Sequence, residues 1–297
     1  MKVGSEINRL GIGTVQFGTD YGIANKTGQA STEEIQRLLA YAYNLGIDTL
    51  DTAISYGDSE KRLGEIGVDA WKIITKLPGL PGAISTTDVR EWLHDTVTRS
   101  LERLNVDALF GLLLHKPSDL LEKHGQSLYD HLLAVKEQGR VQKIGISVYS
   151  PQELGALFNR FPVDLVQLPF NILDQRFADS GWLTTLKGQG IEIHSRSVFL
   201  QGLLLIPAHE RPLQFKRWQN FWIQWDNWLK ETGMSPMEAC LNVAFSQNEI
   251  NRFVVGFDNL NQLKQICNAR LTYSIRVPTQ LKSAPEDLIN PLKWAKL

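Results

Sequence analysis

The sequence predicts an α/β protein: a (β/α)8 TIM barrel with an extra helix between strands 7 and 8 and an irregular C-terminal tail. Three observations carry this. Eight apolar or β-branched runs alternate with amphipathic, helix-like segments, a pattern that implies parallel strands joined by right-handed crossovers. Three successive runs end in Asp51, Lys76 and His115, and polar side chains gathered at strand ends are how such a barrel builds a site. The competing fold, an open doubly wound sheet, usually carries a Gly-rich turn that leads into a helix. Gly11-Ile12-Gly13-Thr14-Val15-Gln16 lacks the third glycine and reads as not entering one.

The predicted strands are Leu10–Thr14, Ile47–Asp51, Lys72–Lys76, Ala108–His115, Gln142–Ser147, Asp164–Leu168, Ile191–Ser195 and Phe253–Gly256. Helix starts lie between them. Ser31-Thr32-Glu33-Glu34 and Thr86-Thr87-Asp88 have N-terminal chemistry. Ser150-Pro151 and Ser235-Pro236 put Pro in a first turn. Phe17 to Ala30 reads as a polar loop. The excursion from Leu200 to Ser235 holds Trp218, Phe221, Trp222, Trp225 and Trp228 at the spacing of one helix face. That face suits packing on the barrel, a substrate wall or a subunit contact. From Arg270 onward Pro278, Pro285 and Pro291 suggest irregular chain. No internal boundary is evident, so residues 1–297 read as a single domain.

With 31 basic and 32 acidic residues the net charge is -1, which leaves no electrostatic case for nucleic acid or an anionic membrane as partner. Met1 to Glu6 lacks a signal-like apolar start. The longest clean apolar run, Ala108 to Leu114, falls far short of the ~20 residues of a membrane helix. Cys240 and Cys267 are the only cysteines; they make no disulfide framework, point to the cytoplasm and form no zinc cluster with histidine. The oligomeric state, monomer or small homo-oligomer, is left open.

Asp51, Tyr56, Lys76 and His115 at one barrel mouth would make a proton-donating site. A free tyrosine titrates near pH ~10 and is a poor acid at neutrality. A nearby ammonium favours the phenolate, and Asp51 would hold Lys76 charged and in place. His115 suits donating a hydrogen bond to a substrate oxygen. The four lack a hydride, which a reduced nicotinamide, NADP(H) or NAD(H), would have to supply. Singly, each has a plainer role: a helix cap, packing, a solvated charge or a structural imidazole. Their joint occurrence is what argues for chemistry.

Gly46-Ile47-Asp48-Thr49-Leu50-Asp51-Thr52-Ala53, followed by Tyr56-Gly57, Ser59-Glu60 and Leu63-Gly64, resembles the signature of the aldo-keto reductase family. Leu10 to Gly18, Ile74-Thr75-Lys76, Leu114-His115-Lys116-Pro117, Gly145-Ile146-Ser147, Val166-Gln167-Leu168 and Gln201-Gly202-Leu203-Leu204 resemble it in the right order. The resemblance implies a (β/α)8 barrel that reduces a small-molecule aldehyde or ketone with NADPH. It implies Tyr56 as general acid, Lys76 and Asp51 tuning it, and His115 orienting the carbonyl. Asp51 would also contact the nicotinamide ribose, and Ser147 and Gln167 the carboxamide. Gly202 and Leu203 match the loop crossing the pyrophosphate. Gly13 and Thr14 belong to the resembling first strand, and Gly256, Asp258 and Gln262 to the adenosine-phosphate end.

Three departures stand out. Val148 replaces a frequent Asn. His194-Ser195-Arg196-Ser197 stands where many members have Tyr-Ser-Pro-Leu, leaving either His194 stacked on the nicotinamide or Arg196 lying over it. Asp258, without a nearby Arg, suits a free 2′-hydroxyl better than a 2′-phosphate, although backbone donors near Asn259 suit an anion. The Thr19–Gly28 loop offers Tyr21, Asn25 and Lys26 to a polyhydroxylated or anionic substrate. Its Asp-Tyr-Gly-Ile-Ala-Asn, with Gly-Thr-Val-Gln-Phe-Gly, resembles a bacterial subgroup linked to surface-sugar synthesis. The alternatives are a cofactor-binding regulatory, non-catalytic barrel subunit, and a barrel using these residues for epimerisation or dehydration.

Overall fold

The computed structural model describes residues 6–82, 84–272, 275–282 and 284–296. Residues 1–5, most of the stretch read as lacking a signal, lie outside them. Eight parallel strands close into a barrel in chain order. They are β1 (Leu10–Gly13), β2 (Thr49–Asp51), β3 (Lys72–Leu77), β4 (Leu109–Leu114), β5 (Val141–Ser147), β6 (Leu165–Pro169), β7 (Glu192–Arg196) and β8 (Arg252–Gly256). β8 returns to β1 with Gly13 opposite Gly256. Among the described residues no helix is long and apolar enough to cross a membrane.

Register partners in a parallel pair share a face, and side chains alternate with period two. The pairs Gly13↔Asp51, Asp51↔Ile74, Lys76↔Leu113, Ser147↔Gln167 and Gln167↔His194 therefore define the barrel interior. Ile74, Leu113 and Leu165 fill its middle, with Phe110 against them. Gly145 makes that fit, because a Cβ there would stand 2.6 Å from Leu113 Cδ2. Below them Glu192 pairs with Lys143, and its Oε1 lies 2.7 Å from His194 Nε2. Above them Asp51, Lys76, Gln167 and Arg196 point to the mouth. The outward faces, such as Leu10, Ile12 and Leu50, join the main apolar core under the helices.

Ser31, Ser85, Ser150 and Ser235 each cap a helix by accepting a backbone N–H three residues on. Ser235 completes a reciprocal box with Glu238. Two expectations need correction. β1 is followed by one helical turn, Val15–Gly18, that buries Gln16 and Phe17; four residues are too few for a readable period. The tail also forms short helical turns at Thr279–Lys282, Glu286–Ile289 and Pro291–Lys296. The extra helix between β7 and β8 is Gln219–Thr232, and Trp222, Trp225 and Trp228 lie on its buried face. Packing takes that face up.

Candidate active site

The Asp51 and Lys76 side chains meet inside the barrel, where Lys76 is 1% exposed. Lys76 Nζ stands 2.6 Å from Asp51 Oδ1 and donates to the Thr52 carbonyl at 2.8 Å. Burial lowers the Lys76 pKa, and the Asp51 charge and hydrogen bond oppose that. Asp51 Oδ2 accepts from Gln167 Nε2 at 2.6 Å, and Gln167 Oε1 accepts from Ser147 Oγ at 3.2 Å. Four strand ends are thus tied by one buried polar chain, whose cost without partners would be high.

Tyr56 sits on the turn after β2. Backbone contact with the loop after β1 holds that turn: a Cβ on Gly18 would lie 1.8 Å from the Tyr56 carbonyl oxygen, and one on Gly57 2.2 Å from that of Gly18. Lys76 Nζ lies 5.2 Å from the centroid of the Tyr56 ring. The His115 ring meets the same ring edge-on, centroids 5.9 Å apart. His115 Nδ1 is 3.4 Å from Ser55 Oγ.

Electrostatics correct one expectation. Lys76 does not bring the Tyr56 phenol toward neutrality. Burial, and then the Asp51 charge, push its pKa above the usual value, while the Arg196 guanidinium pulls it down. Lys76 is already bonded to Asp51, so the opposing cation is Arg196. Tyr56 therefore keeps its proton at neutral pH. His115 is pushed down to about 4, first by burial and then by the Lys76 charge, so its imidazole is neutral.

These groups close one end of a cavity of about 500 Å³. Gly13, Thr14, Asp51, Tyr56, His115 and Gln167 line its inner part. Lys76 and Ser147 stand behind Asp51 and Gln167. Arg196 and Gly202 line the β7 side, and Gly256, Asp258 and Gln262 the far end. Three expected cofactor contacts do not face it: Ser147, behind Gln167, Leu203 and His194. Leu203 is fully buried in a short 3-10 turn, Leu203–Leu205. His194 is 0% exposed: strand alternation sets it a full repeat beneath Arg196, in the packed interior beside Glu192. Of the two residues considered for the nicotinamide, Arg196 alone lies at the mouth.

A sequence model of the Aldo/keto reductase family matches residues 9–284. The chain belongs to this family. It is similar to the L-glyceraldehyde 3-phosphate reductase of Escherichia coli (strain K12), 24% identical over 211 residues, 62% of this chain and 58% of that protein. It is similar to the D-arabinose 1-dehydrogenase of Saccharomyces cerevisiae, 30% identical over 136 residues, 41% of this chain and 39% of that one. The chain spans less than two thirds of the length of these curated relatives. Among solved structures it shares its fold with an aldo-keto reductase from Bacillus halodurans in holo form, at 19% identity, a TM-score of 0.67, and coverage of 96% of this chain and 91% of that chain.

In this aldo/keto reductase family member the loop after β1 docks on the segment after β7. Ile23 N–H donates to the Gln201 carbonyl at 3.2 Å, and Gln201 Nε2 donates to the Tyr21 hydroxyl at 2.8 Å. Gly202 permits the approach, since a Cβ there would stand 2.6 Å from Ala24 Cβ. Tyr21 and Asn25 line the cavity. The Asn25 amide, however, is bonded within its own loop, to the Tyr21 and Gly28 carbonyls. Lys26 is outside, paired with Glu210 at 2.7 Å; long side chains at a loop tip find the nearest opposite charge.

At the far end the helix Leu260–Asn268 begins beside Asp258. Gln262 Oε1 accepts the Asp258 N–H at 2.8 Å, and Gln262 Nε2 donates to Asp258 Oδ2 at 3.0 Å. Glu34 Oε1 accepts the Leu260 N–H at 2.6 Å. The backbone donor expected to bind an anion there already holds a carboxylate. Glu34 was hidden in the sequence, 226 positions from its partner. Tyr149, which stacks on Arg196, carried only the weak signal of following a strand. Gln16 also lines the cavity, and its buried Oε1 has no partner among the described residues. That orphan acceptor and the side-chain-free floor at Gly13 and Gly256 fit a polar, flat-lying group such as a nicotinamide nucleotide.

Proposed function

We propose that this chain reduces the carbonyl of a small, sugar-related aldehyde or ketone to an alcohol with a nicotinamide cofactor, Tyr56 acting as proton donor. One observation carries the reading: a protonated phenol, a neutral imidazole and a buried Lys76–Asp51 pair converge on one end of a cavity. When bound, the reduced nicotinamide supplies the hydride. Asp51, Gln167, Gly13 and Thr14 would hold it at the inner end, and Gly202, Gly256, Asp258 and Gln262 along its length. The Tyr56 O–H transfers its proton to the developing alkoxide oxygen. The Lys76–Asp51 pair lies beside the Tyr56 ring, with Nζ 5.2 Å from its centroid, and the neutral His115 orients the carbonyl oxygen. The relatives' names, a triose-phosphate reductase and a pentose dehydrogenase, support a polyhydroxylated substrate.

The cofactor reading is NAD(H) over NADP(H). Asp258 and Glu34 put two carboxylates at the start of the Leu260–Asn268 helix, where a 2′-phosphate would be repelled. Titration with both reduced cofactors tests this, and tighter binding of NADPH sinks it. For the chemistry, Tyr56→Phe is expected to lower kcat/KM about 10³-fold with NADH affinity nearly unchanged. Wild-type turnover by that variant would remove Tyr56 from its role.

A further inference from the structure

Arg196 ends β7 and lines the cavity beside the proposed proton donor. Its guanidinium lies 4.0 Å from the centroid of the Tyr149 ring, and Nη2 donates to the Val148 carbonyl at 3.1 Å. These contacts fix the plane of the group, and that one hydrogen bond is its only one among the described residues. A guanidinium carries five N–H donors in a rigid fork, so most of them are free of protein partners among the described residues, on a side chain that lines the cavity. Several cations here are paired with carboxylates, Arg103 with Glu60, Arg176 with Asp174, Arg211 with Asp226 and the buried Lys76 with Asp51, while Arg62 is taken up by the Phe17 and Ala30 carbonyls and Arg140 by Thr98, both away from the cavity. Arg196 has no carboxylate partner within the described residues. A part-buried charge without a counter-ion is costly, and its neighbours do not cancel it. Asp51 and Lys76 neutralise each other, His115 is neutral, and Tyr56 and Tyr21 keep their protons. The inner end therefore carries one uncompensated positive charge, felt by Tyr56, Tyr21 and His115 alike. Tyr21 adds a donor: its oxygen accepts from Gln201 Nε2 at 2.8 Å, which leaves its O–H to give.

We infer that the carbonyl substrate carries an anionic group, a carboxylate or a phosphate, which Arg196 binds on its Tyr149 platform, helped by the Tyr21 hydroxyl, while the carbonyl oxygen faces Tyr56. This rests on the carbonyl-reductase reading given above. The fork suits two oxygens of one anion, and the anion completes the charge balance that the protein leaves open. Neutral aldehydes of the same length leave the guanidinium unpaired and bind more weakly.

The test compares matched substrates with NADH. Butanal is set against 4-oxobutanoate, and glyceraldehyde against glyceraldehyde 3-phosphate; the two pairs separate a carboxylate from a phosphate. The expected result is a kcat/KM at least about 30-fold higher for the anionic member of one pair, the worth of a charge-assisted hydrogen bond. Arg196→Gln is expected to collapse that ratio toward unity, and Arg196→Lys to restore part of it. Equal kcat/KM within both wild-type pairs overturns the inference, as does an Arg196→Gln variant that weakens NADH binding and leaves the ratio unchanged. If no carbonyl is turned over, the reductase reading fails, and calorimetric titration with 4-hydroxybutanoate and inorganic phosphate decides the anion site alone. Binding by the wild type that is lost in Arg196→Gln upholds it; no binding by the wild type ends it.

Discussion

His115 owes its low pKa of about 4 to burial and to two cations, Lys76 and Arg196. The unfolded chain takes up this proton near pH ~6.5, the folded one only near 4. The neutral imidazole is therefore no burden above the unfolded value, and stability is lost as pH falls from that value through the folded one. Wild-type protein is expected to lose more of its urea midpoint between pH 7 and 4.5 than His115→Gln does; equal losses would place the acid sensitivity elsewhere. At this scale much of the site was legible. Asp51, Tyr56, Lys76 and His115 are chemical types placed at strand ends or on the turn after one, visible without coordinates. The state of each was not, since the phenol's pKa depends on how deeply Tyr56 is buried and on Arg196, 140 positions away in sequence. The mouth position of Arg196 rather than His194 required the strand's depth in the barrel.

The turn carrying Tyr56 is placed by the element it touches. Gly57 has φ 56°, in the left-handed region that favours glycine, and a Cβ there would meet the Gly18 carbonyl oxygen at 2.2 Å. Gly57→Ala must part the two loops and shift the phenol. A displacement of about 1 Å costs on the order of 10²-fold in rate, so kcat/KM is expected to fall by about that factor while the far-ultraviolet circular dichroism is kept. Unchanged kinetics would show that the turn does not position Tyr56. The proposed cofactor preference rests in the same way on the start of the Leu260–Asn268 helix. Glu34→Gln with Asp258→Ser is expected to raise the NADPH to NADH ratio of kcat/KM about tenfold by removing two negative charges, and an unaltered ratio refutes the assignment. The strands themselves were readable because apolar runs and turn residues are local. The helical turn Val15–Gly18 was not, because four residues are too few to repeat a helical period.

On the scale of the molecule, the closed barrel has no free strand edge, and the excursion after β7 buries a tryptophan face in the main apolar core. Trp225 is fully buried and Trp228 lies 5.7 Å from it, centroid to centroid. Trp225→Ala is expected to lower stability by about 3–5 kcal/mol, read as a reduced urea midpoint. A loss well under 1 kcal/mol would mean that this helix is not part of the core. The apolar middle of the interior and its polar upper layer follow from the same closure, which brings the ends of β2, β3, β5, β6 and β7 around one space.

The sequence by itself determined the alternation of strands and helices, the helix caps and the chemical inventory of the strand ends, because period, propensity and capping act over a few residues. The tertiary structure alone decided how deep each side chain sits and what it meets. Barrel closure and register put Arg196 at the mouth and His194 beneath it, join Ser147 and Gln167 to Asp51 in one hydrogen-bonded chain, and bring Glu34 to the Leu260 N–H. Such contacts join residues far apart in the chain, where no local pattern can encode them.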